Sequence, residues 1–177
     1  STQWNNQIRD QAIVSTVQGE DIDSVKICEE LRDGKPSQKW IVDGGNRLEA
    51  WSTFFNNVFA LGKNIENYMV PYETPKKDDD GNVIKDEDGY TVMEEMEFDL
   101  RGKRYKDLPI ELQERYNNYK VIYVVHSNCT EERMAYHIRR YNNQKSMNKN
   151  QKSVTYMQQT AKWTKEITST NPFFKEL

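Results

Sequence analysis

The chain of 177 residues contains few cysteines and histidines, the residue types that form disulfides and bind zinc. Its two cysteines, Cys28 and Cys129, form no CxxC spacing, so the sequence predicts neither a disulfide framework nor a zinc site. Its two histidines, His126 and His137, show no paired metal-ligand spacing, so a structural role is the first expectation for both. Low cysteine usage is typical of a reducing compartment, so we expect a cytoplasmic protein.

Long apolar runs are also absent from the sequence. No stretch approaches the roughly 18 consecutive apolar residues of a membrane-spanning helix, and the first residues carry no basic-then-apolar targeting signal. We therefore expect no membrane partner. The length fits a single domain covering residues 1–177, which we expect to be part of a longer protein.

Charge is distributed unevenly along the chain, whose formal net charge is −3. Residues 73–99 carry eleven acidic side chains and three lysines, which leaves the rest of the chain mildly basic and able to bind anions. Two Asp-Gly turn signals in this segment predict an insertion of short surface hairpins. A calcium loop is disfavoured there, because Lys76 stands where the first acidic ligand belongs.

Hydrophobic periodicity predicts an α+β domain, with a small mixed sheet flanked by helices and an acidic β-hairpin insertion. The elements expected before the insertion are an N-terminal helix ended by Gly19, a strand around residues 25–27, a turn at 32–38, a short strand at 39–42, and a helix whose apolar face runs from Leu48 to Val58 and which Gly62 ends. Those expected after it are a helix starting at Pro109, a buried strand in residues 119–126, a helix capped by Thr130, a polar loop at 142–151, and a last helix at about 150–168.

The stretch Asp43–Arg47 connects a predicted strand to a predicted helix and has the composition of an anion-binding turn. Gly44 and Gly45 permit positive φ and allow a ligand to approach the backbone. Asn46 is predicted as the N-cap, so the first helical amides point outward with partial positive charge, and the fork of Arg47 can hold phosphate oxygens. The alternative from spacing alone is a structural turn followed by a solvated arginine.

At Asp43, Gly44 and Arg47 the chain resembles the ParB/sulfiredoxin-like superfamily. It looks most like the branch with the motif aspartate-glycine-glutamine-glutamine-arginine (DGQQR), found in the N-terminal domain of GmrSD-type modification-dependent restriction enzymes and in related phage-defence proteins. Gly45 and Asn46 replace the two glutamines. The resemblance covers most of residues 4–160 in order, and the acidic insertion is its least family-like part.

The resemblance implies a ParB-like fold that binds a nucleoside triphosphate, such as CTP, ATP or GTP, together with magnesium. The helix amides of residues 44–46 and Arg47 would hold the phosphates, and Asp43 would place the magnesium ion or a water molecule. An asparagine-rich loop contributes to the phosphate site of ParB-like relatives. Its counterparts here are Asn142, Asn143, Gln144 and Lys145.

The kind of activity stays open at this point. If the domain is an enzyme, the resemblance implies a nucleoside triphosphatase or a nuclease component in a phage or restriction setting, with Asp43 and Arg47 as the catalytic residues. The alternative is a non-catalytic module with a degenerate nucleotide motif that binds a protein or DNA. The basic segment 133–152 is the candidate DNA-binding surface. His137, in a helix that leads into the asparagine-rich loop, is a minor candidate for acid/base chemistry.

Overall fold

The structure is a computed structural model that describes residues 5–142. The described chain forms two compact units. Unit 1 contains Asn5, Ile22–Ser52 and the described residues from Lys120 onward, and unit 2 contains Asn6–Asp21 and Thr53–Tyr119. In chain order the elements are α1 (Asn6–Gln18), β1 (Val25–Arg32), β2 (Lys35–Asp43), α2 (Gly45–Phe55), β3 (Met69–Pro75), β4 (Met93–Asp99), a 3-10 turn (Tyr105–Asp107), α3 (Ile110–Asn117), β5 (Tyr123–Cys129) and α4 (Glu131–Asn142).

Unit 1 is built on a three-stranded sheet with the strand order β2-β1-β5. β1 pairs with β2 in antiparallel and with β5 in parallel orientation, so this sheet is mixed. α4 packs on the sheet and covers a small apolar core. The buried members of that core are Cys28, Val42, Cys129, Met134 and Ile138.

Unit 2 combines α1 and α3 with the antiparallel β3-β4 pair. Its interior contains an aromatic cluster in which the ring of Tyr116 lies 5.7 Å from that of Phe54 and 5.5 Å from that of Tyr105. The two units together give the chain a mixed α and β architecture, which is consistent with the predicted α+β class. None of the helices in the described part of the chain is long and apolar enough to cross a membrane.

The predicted N-terminal helix is confirmed, and Gly19 follows its end with a φ of +73°. The second strand is longer than predicted. We expected a turn over residues 32–38, but β2 already begins at Lys35, and only the short connection around Gly34 turns the chain. The strand extends because the polar residues of this segment pair with β1 along the sheet edge, which hydrophobic alternation does not reveal.

The helix after the glycine turn ends earlier than predicted, at Phe55 rather than Gly62. Asn57 has a φ of +59°, its amide donates to Phe54 O at 2.8 Å, and the Val58 amide donates to Thr53 O at 2.9 Å. This pair of bonds is the Schellman motif, in which asparagine can replace the usual glycine. Val58 is therefore outside the helix, and 65% of it is exposed.

A strand follows α3 as predicted, but it is Tyr123–Cys129 rather than residues 119–126, and the prediction that it is buried is wrong. β5 lies at the edge of the sheet, and Val124 and Val125 are 38% and 45% exposed. Its β-branched residues reflect strand propensity rather than burial on both faces.

The acidic insertion forms the predicted surface hairpins. Asp78 and Asp86 begin two equivalent turns, and each Oδ1 accepts the amides of the residues two and four positions later at 3.0 and 2.8 Å. Gly81 and Gly89 supply the positive φ that both turns require. The two carboxylates thus bind the backbone of their own turns.

Candidate functional site

The strand-to-helix turn is set by Gly44. β2 ends at Asp43, and the carbonyl of Gly44 accepts the amides of Arg47 at 3.1 Å and Leu48 at 3.2 Å. Gly44 is therefore the N-cap residue of α2. The prediction that Asn46 caps the helix is wrong, because α2 begins at Gly45 and Asn46 already lies in its first turn.

Of the two glycines, only Gly44 needs the backbone conformational freedom of glycine. Gly44 has a φ of +94°, and a Cβ added there would lie 2.9 Å from Arg47 Nη2, 3.0 Å from Val25 Cγ2 and 3.1 Å from Val25 Cα. Gly45 is part of the helix and has no positive φ. The missing Cβ at position 44 thus lets the backbone pass directly beside β1 and the guanidinium of Arg47.

Arg47 points into unit 1 rather than into solvent. Its side chain is only 11% exposed, and its Nη2 donates to Ser24 O at 3.0 Å and to Asp43 Oδ2 at 3.3 Å. Its Nε is buried without a hydrogen-bond partner. Asp43 therefore orients Arg47, while part of the guanidinium's donor capacity is unused.

A second cation shares the carboxylate of Asp43. Lys26 Nζ lies 3.8 Å from Asp43 Oδ2, donates to Ser24 O at 2.8 Å, and is 3.9 Å from the exposed Asp23. Asp43 is thus placed between Lys26 and Arg47 at the end of the sheet. Within residues 5–142 it belongs to no group of three metal-ligating side chains. Any magnesium ion at Asp43 would need phosphate oxygens or water as further ligands.

The C-terminal end of α4 lies at the same end of the sheet as this turn. Thr130 caps α4 as predicted, with its Oγ1 accepting the Arg133 amide at 3.3 Å, and the helix then runs back along the sheet. Lys26 Nζ is 5.7 Å from the ring centroid of Tyr141, the residue before Asn142. Asn142 is thus the only predicted member of the second segment within the described residues; Asn143, Gln144 and Lys145 lie outside them, as does the last predicted helix.

The described part of the predicted basic segment is the outer face of α4. Arg133, Arg139 and Arg140 are exposed, and Tyr136 beside them is 53% exposed. The lysines of residues 145–152 lie outside the described chain. These arginine residues are therefore accessible from solvent.

A third constellation was not apparent from the sequence. Cys28, Cys129 and His137 are buried, and their potential ligand atoms lie within 4.8 Å of one another. Burial raises the pKa of Cys28 to about 12, and the Cys129 thiol beside it contributes to that increase. Burial also lowers the pKa of His137, and the neighbouring His126 adds to this effect. The spacing of these residues in the sequence gave no indication of the cluster. Cys28 and Cys129 are far apart along the chain, and the parallel pairing of β1 with β5 brings them together.

In comparisons with known proteins, no family model, curated protein or solved structure matched this chain at a significant level.

Proposed function

We propose that unit 1 is a nucleotide-binding domain of the ParB-like class. In this proposal, the phosphates of a nucleoside triphosphate, bound with magnesium, lie at the N-terminal end of α2. Hydrolysis of the nucleotide, or cleavage of a nucleic acid, would be a further property of the same site.

The observation that carries the proposal is the state of Arg47. A buried guanidinium at the first turn of a helix retains an unpaired Nε, although Asp43 and the Ser24 carbonyl already fix its Nη2. A buried donor without a partner is costly, and a phosphate oxygen is a strong acceptor for it. The partial positive charge of the helix N-terminus favours the same kind of ligand.

Two further features support a phosphate at this end of the sheet. Lys26 provides a second cation, so two positive charges, on Lys26 and Arg47, share the single negative charge of Asp43. Tyr141 leads the chain into Asn142 at the same end of the sheet, where the resemblance to ParB-like proteins requires the second phosphate-binding segment to start. Asp43 would hold Arg47 in place. It would also bind a magnesium ion whose other ligands include phosphate oxygens.

The test is titration calorimetry of the full chain with CTP, ATP and GTP in the presence of magnesium. The informative variant is Arg47→Lys, which retains the charge but loses the planar fork. Arg101→Lys is the matched control, because Arg101 forms an exposed ion pair with Asp99 in unit 2. We expect saturable binding that is weakened about tenfold or more by Arg47→Lys and is unchanged by Arg101→Lys.

Absence of binding to the wild-type chain, or equal weakening by both substitutions, would contradict the proposal. If a nucleotide binds, phosphate release and DNA cleavage are measured with the same variants. Turnover that is lost in Asp43→Asn, with binding retained, would assign a catalytic role to Asp43. Binding without turnover would define a nucleotide-dependent switch or adaptor.

The second candidate function is a non-catalytic DNA-binding module, and the exposed arginines on α4 favour it over a protein-binding module. The test is fluorescence anisotropy with a DNA duplex over a series of salt concentrations. For such a module, Arg139→Gln and Arg140→Gln weaken binding, and each reduces the salt slope by about 0.9 if that arginine neutralises one phosphate. Arg101→Gln should change neither the affinity nor the slope. Salt-independent binding, or none, would remove this candidate.

A further inference from the structure

We propose that Cys28, Cys129 and His137 bind one zinc ion between the sheet and α4 of unit 1. This site is separate from the phosphate turn and does not depend on the proposed function. Cysteine thiolates together with a neutral imidazole are the donor set that zinc prefers in proteins. Within the described residues, no other three side chains of the metal-binding types lie as close together.

The distances fit a tetrahedral ion after a small movement. With zinc–sulfur bonds of about 2.3 Å and zinc–nitrogen bonds of about 2.0 Å, neighbouring ligand atoms lie roughly 3.5–3.8 Å apart. The ligand atoms of Cys28, Cys129 and His137 lie within 4.8 Å of one another. No separation then has to shorten by more than about 1.3 Å for zinc to bind. A water molecule would take the fourth position.

The backbone of β5 is shaped to place Cys129 in this cluster. Cys28 pairs with His126 across the parallel strands, but the next pair is Glu30 with Cys129, so β5 contains one extra residue between the two pairs. Asn128 lies within this bulge and has a φ of +55°. Without the extra residue, strand alternation would turn Cys129 to the opposite face from Cys28. The bulge returns it to the face that α4 covers.

His137 provides an independent indication of a ligand. It is 4% exposed, and neither of its ring nitrogens has a hydrogen-bond partner. Its ring stacks on His126 with centroids 3.9 Å apart, which holds its plane without satisfying its nitrogens. A metal ion would accept the free lone pair of the imidazole. His126 itself is engaged elsewhere, since its Nε2 and the Tyr141 hydroxyl are 2.9 Å apart.

The charge balance suits a buried position. Binding displaces the two thiol protons to solvent, so that two thiolates neutralise one divalent ion and the complex carries no net charge. A neutral complex avoids the large cost of an uncompensated charge in the core. Arg133 lies on the exposed side of α4, so its charge stays hydrated rather than buried beside the ion.

The test uses cobalt as a spectroscopic substitute for zinc. The full chain, reduced, metal-free and without a histidine tag, is titrated with Co²⁺. We expect a thiolate-to-cobalt charge-transfer band and the visible bands of tetrahedral cobalt, both saturating at one equivalent and lost when Zn²⁺ is added. Cys28→Ala, Cys129→Ala and His137→Phe should each remove or strongly shift these bands. His126→Phe is the matched control that should retain them, because it removes the imidazole nitrogens but keeps a ring that can stack on His137.

Thermal unfolding provides a second readout that does not depend on a colour. Zn²⁺ should raise the Tm of the wild-type chain and of His126→Phe, but not that of folded Cys28→Ala. The proposal would be overturned by the absence of charge-transfer absorption in folded wild-type protein, by bands that survive both cysteine substitutions, or by a Tm increase that the cysteine variants share. Formation of a Cys28–Cys129 disulfide with no metal binding by the reduced protein would also overturn it and would identify a redox pair instead.

Discussion

Lys26 and Asp43 are cross-strand partners on β1 and β2, and Lys26 Nζ lies 3.8 Å from Asp43 Oδ2. The antiparallel register therefore fixes the position of Asp43, the last residue of β2 before the glycine turn. Arg47 reaches the same carboxylate oxygen from the first turn of α2. The position of the candidate phosphate site thus depends on sheet pairing as well as on the motif.

Removing the charge of Asp43 should destabilise unit 1. We expect Asp43→Asn to lower the free energy of unfolding by about 1 kcal/mol, because Lys26 and Arg47 would lose their shared anion. Asp23→Asn is the control. Asp23 is 3.9 Å from Lys26, but its side chain is 81% exposed, so no measurable change is expected. Urea denaturation distinguishes the two, and similar losses would contradict the assigned role of Asp43.

The two glycines of the turn should respond in opposite ways to alanine. Gly44→Ala forces a side chain into a φ of +94° and against Val25, so a loss of about 1–3 kcal/mol is expected. Gly45→Ala replaces a glycine in the first turn of a helix and should be neutral or stabilising by up to about 1 kcal/mol. Chemical denaturation of both variants checks this. If Gly45→Ala were less stable than Gly44→Ala, the assignment of Gly44 as the N-cap and of Gly45 as the first helical residue would be contradicted.

Asp10 should be a major stabilising residue of unit 2. Its side chain is 4% exposed, bonds to Arg9 at 2.8 Å, and accepts the amide of Gly62 at 2.8 Å. Asp10→Ala leaves that amide and Arg9 without their acceptor, and we expect a loss of about 2–4 kcal/mol. Asp99→Ala removes the exposed partner of Arg101 and serves as control, with no measurable effect expected. A Tm of Asp10→Ala close to that of the control would contradict this assignment.

Two tyrosines should make the protein sensitive to alkali. Burial raises the pKa of Tyr123 to about 12 and that of Tyr116 well above its usual value. Both phenols keep their protons in the folded state after the unfolded chain, with tyrosine pKa values near 10, has lost them. The stabilisation is fully present below about pH 10 and falls as the pH rises above it.

This alkaline loss is measured as the urea midpoint of unfolding from neutral to alkaline pH, alongside the ultraviolet absorbance of tyrosinate. Tyr116→Phe should flatten the decline, since phenylalanine cannot ionise. Tyr136→Phe is the control because Tyr136 is 53% exposed. A decline that Tyr116→Phe and Tyr136→Phe leave equally steep would contradict a role for buried phenols.

Local signals predicted most of the helices and strands. The end of α1 at Gly19 and the cap of α4 at Thr130 follow from residues adjacent to the boundary. The predicted end of α2 was wrong because Asn57 took the left-handed position that was assigned to a glycine further along. β2 was predicted too short because its early residues are polar and pair along one side of β1.

The two candidate sites differ in how far local sequence could locate them. The turn at Asp43–Arg47 is contiguous, so its composition was sufficient to locate it. The cluster of Cys28, Cys129 and His137 depends on parallel pairing and on a bulge at Asn128, and no local pattern reports either. The inward direction of Arg47 likewise depends on the Ser24 carbonyl, which belongs to a different part of the chain.

The most direct test of the phosphate site is a nuclear magnetic resonance titration of the isotope-labelled chain with a nucleoside triphosphate and magnesium. We expect saturable shifts concentrated on the amides of Gly44, Gly45 and Asn46, on the Arg47 Nε–H signal and on Asn142, with the β3-β4 pair unaffected. Shifts confined to other residues, or no shifts at all, would contradict a phosphate site and would leave the turn as a structural connection between β2 and α2.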